Sequence, residues 1–168
     1  MKDQYKTTDP VCLMEVERSS LEHEYQGKSY SFCSQQCHDR FEANPHLYIG
    51  RPGKPSPKQQ GRSVIRKRTL KLETSVPDHV RHHIKDMLGK MMGIKTVSIE
   101  NNTIQITYDL LEVTAQQIED ALEKNGENLS NTLSTKLQKA FFHYLEETEL
   151  DNLEQGDDSH GCHSIKKE

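Results

Sequence analysis

Polar and apolar positions alternate with a period of two over Arg68 to Ser75 (RTLKLETS), placing Leu70 and Leu72 on one face of a strand. The period then changes. Val80, Ile84, Met87, Leu88 and Met91 recur at helical spacing behind Pro77, which suits a first helical turn because its missing N–H is not needed there. Thr96 to Glu100 and Thr103 to Tyr108 alternate again, joined at Asn101-Asn102, a hairpin signal. Thr114 is a suitable N-cap for a helix with Ile118, Ala121 and Leu122 facing inward and Gly126 at its end. The order β-α-β-β-α is the ferredoxin-like plan short of its last strand. A fourth strand belongs near 128–132, but NLSNT is a poor strand sequence. Instead Leu133, Leu137, Ala140, Phe141, Tyr144 and Leu145 predict a long amphipathic helix over about Asn131 to Glu154. Its apolar face is too wide for water, so it covers its own sheet or forms a homodimer interface.

Ahead of this unit lies a segment of different character. Val11, Met14, Leu21, Tyr30, Phe32, Phe41 and Tyr48 form a candidate core too small to fold unaided. The Gly-, Pro- and Ser-rich run from Gly50 to Ser63 reads as a flexible linker. Four regions follow: residues 1–49, a linker over 50–65, a second domain over 66–155, and a polar tail over 156–168. The fold class is α+β.

Composition narrows the function. The 168 residues are 32% hydrophobic and 29% charged, which fits two small units better than one large core. The net charge of −4 provides no global field for nucleic acid or membrane. The basic run Arg51 to Arg68 lacks the aromatic context of an RNA surface and reads as solvated linker. No apolar run approaches the roughly 20 residues of a membrane span, and MKDQYKTTDPVC has no secretory h-region. The expected compartment is a reducing cytoplasm, where clustered cysteines favour metal over disulfide. No paired carboxylates, Ser/His/Asp set or phosphate loop is visible, so the chain reads as a non-enzyme.

The chemistry sits in Cys12, Cys33 and Cys37. Thiolates are soft ligands that Zn(II) takes tetrahedrally and Cu(I) accepts in twos or threes. Cys33 and Cys37, at a strand-to-helix transition, can point at one centre, and Cys12 on the turn after Asp9-Pro10 can close it. A tetrahedral ion needs a fourth ligand, for which His38, water or a partner thiol is available; trigonal Cu(I) needs none. The C-x-x-x-C spacing differs from the C-x-x-C of thioredoxin-like redox sites. In the tail, His160, Cys162 and His163 within HGCH can capture a soft metal or complete the first site.

The run DPVCLMEV, then HEYQGKSYSFCSQQCHDRFEANPHLY (His23 to Tyr48), resembles the YHS domain, also grouped as TRASH-like. His23, Tyr25, Gly27, Lys28, Tyr30, Phe32, Cys33, Ser34, Cys37, Phe41, Asn44, Pro45 and Tyr48 fit its pattern, and Leu13 replaces the usual Gly. The resemblance implies a hairpin-plus-helix module that binds copper or zinc in proteins of metal resistance and transport. Gly93 to Asp109, with T-x-x-x-I-x-x-A-L-x-x-x-G over Thr114 to Gly126, is similar to the heavy-metal-associated domain. That family's C-x-x-C aligns with Pro77 and Val80, which cannot ligate metal. His79, His82 and His83 fall on the solvent side of the same helix, and Met87, Leu88 and Met91 read as core.

These resemblances imply a soluble carrier or sequestering protein for Cu(I) or Zn(II), acting beside a metal-transporting P-type ATPase. The alternative is a metal-responsive regulatory protein with a structural zinc.

Overall fold

The computed structural model describes residues 6–18, 21–71, 77–101, 103–126 and 139–155. Two short hairpins open the chain. Strand β1 (Lys6–Thr8) pairs antiparallel with β2 (Glu15–Glu17), closing a loop over 9–14. Strand β3 (Glu22–Tyr25) pairs with β4 (Lys28–Ser31) through Gln26 and Gly27, both at positive φ. Helix α1 (Gln35–Ala43) follows, then the short α2 (His46–Ile49). Ser34 caps α1, its Oγ accepting from the Cys37 amide at 3.4 Å.

The motif residues of this module are mostly packing. Phe41 is the hub, with ring centroids of Tyr30 at 4.8 Å, Phe32 at 5.2 Å, His23 and Tyr25 at 5.9 Å and Tyr48 at 6.3 Å. Val11, Phe32, Phe41, Leu47 and Tyr48 are buried, as is Cys37. Met14, expected in this core, is 53% exposed. Leu13 ahead of it takes φ 66°, which turns the chain and carries both side chains outward.

The second unit holds strands β5 (Ile65–Lys71), β6 (Ile94–Glu100) and β7 (Thr103–Asp109) in the order β5-β7-β6, all antiparallel. This is the arrangement of a ferredoxin-like sheet whose fourth strand would lie beside β5. Helices α3 (Asp78–Gly89) and α4 (Ala115–Gly126) supply Ile84, Leu88, Ile118 and Leu122 to the face presented by Ile104, Ile106 and Tyr108. Thr114 and Gln117 cap α4 reciprocally, each side chain accepting from the other's amide. The expected continuation of the first strand through Ser75 lies outside the described residues.

Helix α5 (Lys139–Gln155) is the long helix anticipated from the periodicity; its expected start over 131–138 lies outside the described residues. It packs within its own chain, against α2 and α4, with Leu150 2% exposed. Its seat on the sheet is ionic. Buried Glu146 accepts from Arg68 at 2.9 Å, from the Ala115 amide at 2.8 Å and from the Tyr108 hydroxyl, while Glu149 pairs with Arg66. A carboxylate this buried is tolerated because three donors replace its water.

The stretch expected to be a flexible linker, 50–65, is instead anchored on both sides. Lys58 N donates to Leu47 O (3.1 Å) and Ser56 Oγ to Tyr48 O (2.9 Å). Lys58 Nζ meets Glu112 at 2.5 Å, and Val64 N donates to Asp109 Oδ1 at 3.0 Å. Its glycines and prolines supply turns, and its polar groups find backbone partners in both units. The small N-terminal core therefore does not stand alone. It is continuous with the core of the second unit, and Tyr48 Oη donates to Leu111 O at 2.7 Å across the junction.

Candidate metal centre

The three sequence-predicted cysteines come together. Cys12 Sγ lies 3.6 Å from Cys33 Sγ, and Cys33 Sγ lies 3.5 Å from Cys37 Sγ. Cys12 comes from the 9–14 loop, Cys33 from the bend between β4 and α1, and Cys37 from the first turn of α1. Four bonds of about 2.3 Å to a tetrahedral zinc would put thiolate sulfurs about 3.8 Å apart, within tenths of an ångström of the Cys12–Cys33 and Cys33–Cys37 spacings. Cys37 is fully buried, whereas Cys12 and Cys33 are half-buried and form the open side.

The fourth member of the cluster is Asp9, which was legible only as part of the DPVC run. Its carboxylate is buried and already engaged. Oδ1 accepts from Val11 N (2.8 Å) and Cys12 N (3.3 Å), and Oδ2 accepts from Cys33 N (2.9 Å). Asp9 thus fixes the backbones of two cysteines from behind, the role of a second-sphere residue. The signal that marks it is local: an Asp before Pro at a turn bonds amides two and three residues on.

His38, the fourth ligand considered from sequence, is placed differently. Its Nδ1 lies 3.4 Å from Asp39 and 3.9 Å from Glu42, and these three form a separate group from the thiols. Its ring packs edge-on against Phe32 and His23. His160, Cys162 and His163 lie outside the described residues. His79, His82 and His83 are exposed on α3, with His82 Nδ1 at 2.8 Å from Asp78 O.

Proton affinities follow from this packing. Cys37 donates to Cys12, and this, with burial, raises the Cys37 thiol far above its ordinary value. The same bond lowers Cys12 against the opposing effect of burial. Burial pushes Cys33 up to about 11. The first turn of α1 offsets part of the cost of a thiolate at Cys37, since amide dipoles converge there. Without an ion the set favours a shared-proton arrangement; a cation that displaces those protons satisfies all three sulfurs together.

The module docks on the second unit at one defined end. Gln36, beside Cys37, donates through Nε2 to Met92 O (2.8 Å) and Glu112 O (3.1 Å), and Gln117 Nε2 donates to Gln36 O (3.4 Å). Strand pairing puts Ile65, Ile94 and Asp109 at that end, and Lys71, Glu100 and Thr103 at the other. Helix α3 runs from the far end to the near one, so its first turn with Pro77 and Val80 lies about 18 Å of helix rise from the docked module.

The site and fold define a small module with three clustered thiols joined to a ferredoxin-like domain. Residues 7–51 match the YHS domain family. The copper chaperone CopZ of Staphylococcus saprophyticus subsp. saprophyticus is 32% identical over 60 residues, 34% of this chain and 88% of the chaperone. A crystal structure of oxidized MerP from Ralstonia metallidurans CH34 aligns with 38% of this chain and 90% of its own, at 17% identity and a TM-score of 0.35. Through its second domain the chain belongs to the family of the CopZ copper chaperone, with a YHS domain ahead of it. Among the described residues no helix is long and apolar enough to cross a membrane.

Proposed function

We propose that the chain carries or sequesters a soft heavy-metal ion, Cu(I) or Zn(II), in metal homeostasis or resistance, with Cys12, Cys33 and Cys37 as its thiolate ligands. The observation that carries this reading is the convergence of three thiols, with Asp9, to within 4.8 Å of one another. Three sulfurs suit trigonal Cu(I) as they stand. The relative's name, copper chaperone, points the same way. The half-open Cys12 and Cys33 give an incoming ligand access to the ion, which a carrier needs. The ferredoxin-like domain, with Pro77 and Val80 in place of cysteines, serves as a docking platform for a metal-transporting P-type ATPase. The protein acts without catalysis.

Full burial of Cys37 and the Gln36 contacts beside it favour a second reading, a regulatory protein whose structural zinc stabilises the junction. Anaerobic titration of the apo chain separates the two. A carrier binds one Cu(I) tightly, surrenders it to a competing thiol within seconds, and keeps its oligomeric state. A regulator with structural zinc holds Zn(II) through that challenge and changes oligomeric state or loses its fold when the ion is removed.

A further inference from the structure

A cleft of about 280 Å³ opens between α1, α4 and α5, where the two units meet. Arg40 lines it from α1 and is only 4% exposed. Its guanidinium reaches the Tyr48 hydroxyl, but Nε and Nη2 are buried and meet no acceptor among the described residues. Together these nitrogens form one edge of the planar fork, an edge that takes a carboxylate through two parallel hydrogen bonds. The buried carboxylates Asp9, Asp109 and Glu146 are already held by other donors, so none of them fills it. A buried cation left with empty donors is costly to the fold. The cleft is also lined by two exposed carboxylates, Asp120 of α4 and Glu147 of α5, and neither meets a cation or a donor among the described residues. Asn44, Thr114 and Gln117 add uncharged polar groups to the lining.

We propose that this cleft binds a free α-amino acid with a small, uncharged side chain. The α-carboxylate takes the Nε–Nη2 edge of Arg40, which turns toward it, and the α-ammonium is held by Asp120 and Glu147. Each charged feature of the lining calls for one end of a zwitterion. A plain anion satisfies Arg40 but adds a third negative charge to the two carboxylates. A plain cation neutralises the carboxylates and leaves Arg40 unpaired. The volume lies near the lower limit of small-molecule sites, which keeps the side chain small. Because Arg40 is out of water, its pairing with a carboxylate is stronger than on an open surface. None of the three thiols takes part, so the cleft and the metal centre stand or fall separately. An occupied cleft ties α1, which presents Cys37 one turn before Arg40, to α4 and α5.

The test uses the full chain, reduced and metal-free, so that an amino acid cannot act by chelating a bound ion. The probes are the common protein amino acids and, for each that binds, its deaminated acid and its methyl ester. Isothermal titration and the thermal unfolding midpoint are the readouts. The expected result is one equivalent of a small neutral amino acid and a raised midpoint. Both analogues should bind at least about tenfold more weakly, the cost of one charge-assisted hydrogen bond. Arg40→Gln should abolish binding of the amino acid and of its deaminated acid alike. Asp120→Asn/Glu147→Gln, which changes surface groups only, should weaken the amino acid and not the deaminated acid. If Arg40→Gln does not fold, the surface pair decides. No binding of any amino acid at millimolar concentration would overturn the proposal. So would full affinity in either variant, or equal affinity for the deaminated acid, which would make the cleft a plain anion site.

Discussion

The amide of Cys33 donates to Asp9 Oδ2 at 2.9 Å, tying together two segments 24 residues apart at the point where the thiols meet. The other carboxylate oxygen holds Val11 N and Cys12 N, so one buried side chain sets the positions of two of the three sulfurs. Replacing Asp9 with Ala strands these buried donors, each worth roughly 1–3 kcal/mol when unsatisfied. The expected outcome is a destabilisation of about 3 kcal/mol in denaturant unfolding of the apo chain and a ~10- to 100-fold loss of metal affinity. Asp9→Asn should fall between, because one of its two polar termini is a donor facing a donor.

Leu13 occupies a left-handed backbone position, φ 66°, with its side chain 57% exposed. An L-residue with a Cβ pays about 1–2 kcal/mol there, and Gly does not. Leu13→Gly should therefore stabilise the chain by about 1 kcal/mol without changing metal stoichiometry. A drop in unfolding midpoint would show that Leu13 makes a stabilising contact.

Gly93 has φ 86°, and a Cβ there would meet Glu112 Cβ and Val113 Cγ1 at 2.8 Å. Both the wrong backbone region and the overlap act against Gly93→Ala, so a loss of about 2 kcal/mol or more is expected. The clash falls between Met92 and Glu112, whose carbonyls hold Gln36. Hydrogen exchange at the start of α1 should rise in this variant; unchanged exchange there would mean that the two units are not coupled through Gln36.

The pH dependence follows from the thiols. Burial holds Cys33 near 11, and Cys37 is raised further by donating to Cys12. Near neutral pH both are protonated in the apo chain, so an ion must displace at least two protons. Apparent metal affinity should then rise about 100-fold per pH unit between 7 and 8. Stability of the apo chain runs the opposite way. Thiols whose folded values are raised stabilise the fold below the ordinary thiol value of 9.0, and that contribution fades as pH climbs through the folded value of about 11 for Cys33. Cys12, lowered, opposes this in part. Competition titrations at several pH values and alkaline unfolding measure both slopes.

The elements that repeat a simple period were legible in the sequence. The alternation of β5 to β7 and the apolar spacing of α3 and α4 follow from local chemistry, and the order β5-β7-β6 follows from the ferredoxin-like plan. The trio was legible because three soft ligands in so short a span have few other uses. What the sequence hid was long-range. Residues 50–65 read as slack, but their turns are fixed by partners such as Leu47, Glu112 and Asp109 that lie elsewhere in the chain. Met14 read as core because an apolar residue two positions after a cysteine carries no mark of the positive φ at Leu13 that turns it out. His38 read as a ligand by adjacency to Cys37, yet neighbours on a helix point about 100° apart, and its ring turns to Asp39 and Glu42.

The central claim is that Cys12, Cys33 and Cys37 hold one ion together. The most direct measurement is the metal content of the anaerobically purified full chain beside Cys12→Ser, Cys33→Ser and Cys37→Ser, after equal exposure to Cu(I) or Zn(II) and removal of loosely bound ion. One equivalent in the wild type and a large loss in each single variant is the predicted result. Equal metal in all four proteins would contradict it.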